Sequence, residues 1–211
     1  MNFKKFYDLI QPYSITSKER IYGLYECLEE IRKNKIKGDM VECGIYTGGN
    51  ILGICEYLSY YNITDVTVWG YDTFAGMTEP SALDIDTSGI KASDIFQQVK
   101  CECSYDFVIN VLKKTNFPKE KIKLIVGDVL QTLNEVTPNE ISLLRLDTDW
   151  YESTKKELEI LYPKLVNNGF LIIDDFGHWQ GSQLATKEYF NNNFNYKMFD
   201  YTGLCHQKKN I

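Results

Sequence analysis

Histidine is scarce in this sequence, with only His178 and His206, too few to build a metal site from imidazoles. The six cysteines, Cys27, Cys43, Cys55, Cys101, Cys103 and Cys205, contain no CxxC pair. The two close ones are spaced CxC, so reduced thiols of a cytoplasmic protein are expected rather than a zinc site or disulfides. No run approaches the ~20 apolar residues of a membrane span. Met1-Asn2-Phe3-Lys4-Lys5 leads into no sustained apolar stretch, so neither a secretory leader nor a membrane partner is expected. Basic charge is short too: 23 Lys and Arg stand against 29 Asp and Glu, a net −6. That balance argues against a nucleic-acid partner, whose phosphates require a basic face. The one basic run, Arg32, Lys33, Lys35 and Lys37, reads as the solvated end of a helix. Repeats, linkers and low-complexity segments are also missing.

What is present suits one globular domain spanning residues 1–211, with 44% hydrophobic and 25% charged residues. The 15 Tyr and 11 Phe read as structural. Helical and strand patterns alternate, which predicts a mostly parallel sheet covered by helices. Ser17 is a good N-cap for a helix carrying Ile21, Leu24, Tyr25, Leu28 and Ile31 at helical spacing. Strands are predicted at 39–43, 66–71, 122–126, 141–146 and 170–173, with two short ones near 196–199 and 203–206. Helices are predicted after Gly49, near 105–115, over 153–165 and over 182–194. The stretch 73–104 reads as irregular, with one apolar patch at Ile95 and Phe96, and as a lid or substrate-side insertion, since structureless loops of that length are usually functional, and equally as a partly disordered segment.

In an open parallel sheet, ligands sit beyond the carboxyl ends of the strands. Glu42, Asp72, Asp147 and Asp174 stand at or near four such ends, and Asp128 follows the remaining central strand. Acids in that number on one rim require a cation, or a cationic, hydroxyl-rich cofactor, to offset them. Asp72 has the position of an acid that accepts from ribose hydroxyls. The loop Glu42-Cys43-Gly44-Ile45-Tyr46-Thr47-Gly48-Gly49 lacks GxGxxG spacing. It suits a nucleoside cofactor without phosphate, and equally a turn that needs positive φ. Asp147, Asp149, Asp174 and Asp175 come from two successive strand ends that one βαβ crossover would bring together. Carboxylate ligation suits a hard cation such as Mg²⁺. The competing reading is helix capping by Asp149 and Asp175.

The run Leu144-Arg145-Leu146-Asp147-Thr148-Asp149-Trp150-Tyr151-Glu152-Ser153-Thr154 resembles the signature of the macrocin O-methyltransferase family, which includes mycinamicin and aminocoumarin sugar methyltransferases. The same holds for Leu161-Tyr162-Pro163, for 168–179 from Asn168-Gly169 to His178-Trp179, for Gly38-Asp39-Met40-Val41-Glu42-Cys43-Gly44 and for Asp72-Thr73-Phe74-Ala75-Gly76-Met77-Thr78-Glu79-Pro80. The resemblance implies a class I (Rossmann-like) methyltransferase: a seven-stranded, mostly parallel sheet with the last strand antiparallel and helices on both faces. It also implies S-adenosylmethionine and Mg²⁺. By motif position Asp147, Asp174 and Asp175 match metal ligands and Asp149 a general base. Glu42, Gly44, Gly48, Asn50, Asp72, Thr73 and Asp147 match cofactor-contacting positions, with Asp128 and Val129 at the adenine. The chain departs from the family in its short N-terminal part, where relatives carry a segment that helps close the site, and in Thr148, where Gly is common.

The activity expected is therefore Mg²⁺-dependent O-methylation of a sugar hydroxyl on a small-molecule acceptor. A metal holding two neighbouring oxygens lowers the hydroxyl pKa, and Asp149 takes the proton. His178 is a second candidate for that base, or a substrate contact; His206 reads as structural. The richness in Lys, Asn, Ile and Tyr points to an AT-rich genome, hence to a nucleotide-linked sugar or surface-glycan (polysaccharide) precursor. An antibiotic sugar or a catechol satisfies the same chelation logic. A homo-oligomer remains open. A metal-dependent glycosyltransferase using Asp147-Thr148-Asp149 as DxD is the runner-up, and it leaves Glu42 and Asp72 unexplained. A non-catalytic small-molecule-binding protein on the same fold is the third reading.

Overall fold

Strands buried on both faces read as near-continuous apolar runs, and Ile141–Leu146 is such a run. The computed structural model describes residues 1–209. Within them seven strands form one sheet: β1 (Asp39–Cys43), β2 (Val68–Asp72), β3 (Ile122–Val126), β4 (Ile141–Leu146), β5 (Leu165–Ile173), β6 (Lys197–Met198) and β7 (Leu204–Gln207). Their order is β3-β2-β1-β4-β5-β7-β6. The first five pair in parallel, and β7 runs antiparallel to both β5 and β6. This is the seven-stranded, mostly parallel sheet expected from the sequence.

Among the described residues eight α-helices accompany it: α1 (Phe3–Ile10), α2 (Lys18–Lys33), α3 (Gly49–Tyr60), α4 (Ala92–Val99), α5 (Tyr105–Leu112), α6 (Val129–Thr132), α7 (Tyr151–Leu161) and α8 (Gln180–Tyr189). Strand side chains alternate between two cores. Met40, Val68, Leu143 and Ile172 pack with Phe6, Leu24, Leu28 and Ile51 on one face. Val41, Trp69, Leu144 and Leu171 pack with Leu158 and Leu161 on the other. Ser17 caps α2 as its sequence predicts, its Oγ accepting from the Arg20 N–H at 3.1 Å.

Several boundaries differ for identifiable reasons. α7 stops at Leu161 rather than 165 because Pro163 cannot extend an α-helix, and Tyr162–Lys164 turns as a 3₁₀ helix instead. α8 runs Gln180–Tyr189 rather than 182–194. The segment 73–104 contains α4, where Ile95 and Phe96 continue a helical spacing with Ala92 and Val99, and all four pack beside Trp150 and Trp179. Buried Asp84 fastens that segment to α7 by accepting from the Tyr151 N–H at 2.7 Å. α1 was not foreseen. It is capped by Asn2, whose Oδ1 accepts from the Lys5 N–H at 2.9 Å, and it buries Phe6 and Ile10. Among the described residues no helix is long and apolar enough to cross a membrane, and all six cysteines are free.

Candidate active site

The strand order reverses at β1, between β2 on one side and β4 on the other, and such a reversal opens a crevice at the carboxyl ends. A cavity lies there. Its walls include Gly44, Asn50, Asp72, Thr73, Asp128, Val129, Asp147, Asp149, Asp174 and Asp175 from the expected set. Glu42 stands behind Asn50, 1% exposed. Gly48 and His178 are not in the cavity wall. Gly48 instead opens α3 with φ +82. The His178 ring meets Trp179 edge-on at 4.8 Å, with Tyr201 at 6.3 Å.

The β1–α3 loop is built around Asp72. Its Oδ2 accepts from the N–H groups of Ile45 (2.8 Å) and Tyr46 (3.0 Å), and its Oδ1 from that of Phe74 (2.7 Å). Burial raises the Asp72 pKa, while these N–H donors pull it the other way. Gly44 has φ +78, and a Cβ there would collide with the Asp147 carbonyl. Only glycine lets the loop lie this close to the end of β4. Glu42 Oε1 accepts from Asn50 Nδ2 (2.9 Å) and Arg145 Nη1 (2.6 Å), and burial pushes its carboxyl up to about 7 against the pull of Arg145. Glu42 Oε2 and Asn50 Oδ1 are buried and have no hydrogen-bond partner. On the β3 side, Asp128 caps α6 by accepting from the Leu130 N–H at 2.9 Å, which places Val129 at the cavity.

At the other wall, Asp147, Asp149 and Asp175 each offer a carboxylate oxygen within 4.8 Å of the others. Burial, then the charge of Asp147, pushes Asp149 up to about 8. Burial also raises Asp147 to about 6, despite Arg145, and raises Asp175 well above the carboxylate range, with Asp149 and Asp174 adding to the effect. Asp149 takes φ +66, a left-handed conformation uncommon outside glycine, and its Oδ2 accepts from Trp179 Nε1 at 3.0 Å. The turn's unusual backbone thus falls on Asp149 rather than on Thr148, whose hydroxyl donates to Glu157 Oε1 at 2.9 Å. Asp174 does not join this trio: Arg145 and Arg20 hold its two oxygens. Burial raises it to about 6, with both arginines opposing.

Both expected ligands fit these donors. Three crowded carboxylates with raised pKa values are the hard oxygen set that a divalent cation relieves. The unpartnered Glu42 and Asn50 oxygens, with the bare backbone at Gly44, suit a ligand rich in N–H and O–H donors.

Sequence reasoning missed Arg20, Arg145, Glu157 and the segment Tyr13–Thr16. That segment lines the cavity and is pinned by the Thr47 hydroxyl, which donates to the Tyr13 carbonyl at 2.5 Å. Arg145 carried a signal, as a charged residue inside the apolar run of β4. Arg20 carried none, because its partners Asp174 and Asp200 lie far along the chain.

The sequence pattern of macrocin-O-methyltransferase (TylF) matches residues 10–208. Among curated proteins, the demethyldecarbamoylnovobiocin O-methyltransferase of Streptomyces niveus is 27% identical over 172 residues, 81% of this chain and 65% of the relative. The mycinamicin III 3''-O-methyltransferase of Micromonospora griseorubida is 26% identical over 167 residues, 78% of this chain and 65% of the relative. The chain thus spans slightly less than two thirds of the length of these relatives. Among solved structures, the O-methyltransferase NovP superposes with a TM-score of 0.85 at 24% identity, over 94% of this chain and 83% of that one. The calicheamicin methyltransferase CalS11 gives 0.68 at 16%, over 97% and 90%. These two likenesses establish the fold.

Proposed function

The chain belongs to the macrocin O-methyltransferase family, and from that premise we propose that it transfers the methyl group of S-adenosylmethionine to a sugar hydroxyl of a small-molecule acceptor, with Mg²⁺ bound at the acidic wall. The observation that carries the reading is one cavity whose walls include both Asn50, with its unpartnered Oδ1, and the aspartate trio. When bound, the cofactor supplies a methyl group already activated on sulfur, and the metal lowers the pKa of the acceptor hydroxyl.

The chain's own residues do the rest. Asp72 and Asn50 hold the nucleoside end, and Val129 packs beside the base. Asp147 and Asp175 hold the cation, the two positions on which motif and distance agree. The third ligand is Asp149 by distance, while motif position names Asp174, whose oxygens are engaged by two guanidinium groups. Asp149 would take the proton that the acceptor hydroxyl gives up on receiving the methyl group. Trp179 orients Asp149 by donating to one of its oxygens. His178 lies outside the cavity wall, so the base role goes to Asp149. The acceptor is a nucleotide-linked sugar or glycan precursor in this reading. The two relatives are named as demethyldecarbamoylnovobiocin and mycinamicin III O-methyltransferases, and acceptors of those kinds form the second panel of any screen.

Calorimetric titration with S-adenosylmethionine, in Mg²⁺ and in EDTA, tests the class: micromolar cofactor binding supports it. No cofactor binding, with a metal-dependent nucleotide-sugar signal instead, moves the site to the DxD glycosyltransferase reading. Asp175→Asn should weaken Mg²⁺ binding by ~100-fold while the protein stays folded, since one of few charged ligands is neutralised. Unchanged Mg²⁺ affinity removes Asp175 from the site.

A further inference from the structure

A guanidinium inside a fully buried strand is costly unless it is paired on several sides. Arg145 is 2% exposed and is paired on three. Its Nη1 donates to Glu42 Oε1 at 2.6 Å and to Asp147 Oδ2 at 2.7 Å, and its Nη2 donates to Asp174 Oδ1. The register explains the convergence. Glu42 faces Arg145 across β1 and β4, and Arg145 faces Ile172 across β4 and β5. With a side-chain period of two, Asp147 and Asp174 follow on the same face. Only a planar fork of donors serves carboxylates from three strands at once; a lysine ammonium is a single point.

Arg145 stands behind the cavity wall and reaches it from two sides. Through Glu42 it reaches Asn50, whose Nδ2 donates to the same Glu42 oxygen, and through Asp147 and Asp174 it reaches the acidic wall. We propose that Arg145 is a positioning residue that couples the cofactor site to the metal site, so that filling either one tightens the other. The inference rests on the cofactor and metal reading above.

The physical basis is a shared donor. Nη1 is divided between Glu42 and Asp147. A cation that draws the Asp147 carboxylate into the trio leaves Nη1 to Glu42, which fixes Glu42 and the Asn50 amide bonded to it. Conversely, a donor that satisfies Asn50 Oδ1 fixes the amide bonded to Glu42 and, through Glu42, the same guanidinium, and with it Asp147 and Asp174. The first ligand pays for ordering that the second then finds complete, and the effect is reciprocal.

The test uses S-adenosylhomocysteine, which lacks the sulfonium charge, so that direct repulsion from the metal does not mask the coupling. Its affinity is measured by calorimetry in EDTA and in saturating Mg²⁺, and Mg²⁺ affinity with and without it. The wild-type chain should show tightening of ~5-fold or more in each direction, the lower range of typical coupling. Arg145→Lys keeps the charge and loses the fork. Glu42→Gln keeps the guanidinium contacts to Asp147 and Asp174 and weakens the cofactor arm. In both variants the ratio should fall towards ~1 while Mg²⁺ still binds. A purely structural role would lower stability and both affinities and leave their ratio unchanged. Should Arg145→Lys fail to fold in a melt, Glu42→Gln decides. A wild-type ratio retained in the folded variants, or independent binding in the wild type, overturns the coupling alone. Absence of any S-adenosylhomocysteine binding overturns the cofactor reading and the coupling with it.

Discussion

The two ends of the same strands treat polar groups in opposite ways. At the amino ends, Asp39 opens β1 with both oxygens engaged, Oδ1 by the Thr67 N–H at 2.9 Å and Oδ2 by the Trp69 indole at 2.8 Å. Nearby, the Ser142 hydroxyl donates to the Gly38 carbonyl at 2.9 Å. At the carboxyl ends, Glu42, Asp147, Asp149, Asp174 and Glu157 are all pushed upward by burial. Glu42 Oε2, Asn50 Oδ1 and Glu157 Oε2 there have no hydrogen-bond partner. Buried polar groups are normally paired, and each exception carries a cost. The amino ends are built for stability, and the carboxyl ends give some of it up to keep oxygens available. Removing a charge should therefore have opposite signs at the two ends.

Glu157 offers the largest effect. It lies in α7, fully buried, and burial raises its carboxyl from an ordinary 4.5 to about 8, with the Thr148 hydroxyl and Cys43 thiol opposing. The folded chain thus holds a proton that the unfolded chain releases earlier, so stability falls as pH rises from about 4.5 to about 8. Glu157→Gln stays neutral throughout. Its advantage over the wild type should be near zero at the acidic edge of that window and reach roughly 5 kcal/mol above it. Urea unfolding at several pH values reads this directly. A variant less stable than the wild type on the alkaline side would break the contrast.

At the other end, Asp39→Asn should destabilise by roughly 2 kcal/mol, because an amide offers one acceptor to two donors and leaves the Thr67 N–H or the indole N–H unpaired. The same urea series measures it. A neutral result would mean that the amino ends are no better satisfied than the rim.

The contrast also explains what could be read from sequence. Acids at strand ends are local features, and strand periodicity alone places Glu42, Asp72, Asp147 and Asp174 at the rim. α4 was missed although Ala92, Ile95, Phe96 and Val99 carry helical spacing, because the Gly-, Ser- and Asp-rich residues around it mask the period. The partition of the acids was not legible. Whether Asp149 or Asp174 joins Asp147 and Asp175 depends on Arg20, which reaches Asp174 from α2 across most of the chain. It depends equally on Arg145, whose partners come from three strands. Spacing within a motif does not encode which guanidinium will claim a carboxylate.

The smallest effect resolves that partition. Trp179 is 2% exposed, packs edge-on against Trp150 at 5.0 Å and donates its indole N–H to Asp149 Oδ2 at 3.0 Å. Trp179→Phe preserves an aromatic ring in that packing and deletes only the donor side of the contact. If Asp149 is a metal ligand, losing the group that orients it should weaken Mg²⁺ binding about 10-fold, ~1.4 kcal/mol, the lower end for outer contacts of a metal site. If Asp174 is the third ligand, Mg²⁺ affinity in Trp179→Phe should match the wild type, since nothing links the indole to either arginine. Calorimetric Mg²⁺ titration of the folded variant separates the two, and it does so without knowledge of the acceptor. A weakened affinity assigns the ion to the trio and requires Asp149 to combine ligation with proton transfer. An unchanged one assigns the ion to Asp147, Asp174 and Asp175, frees Asp149 for proton transfer alone, and requires that the guanidinium groups on Asp174 yield an oxygen when the metal enters.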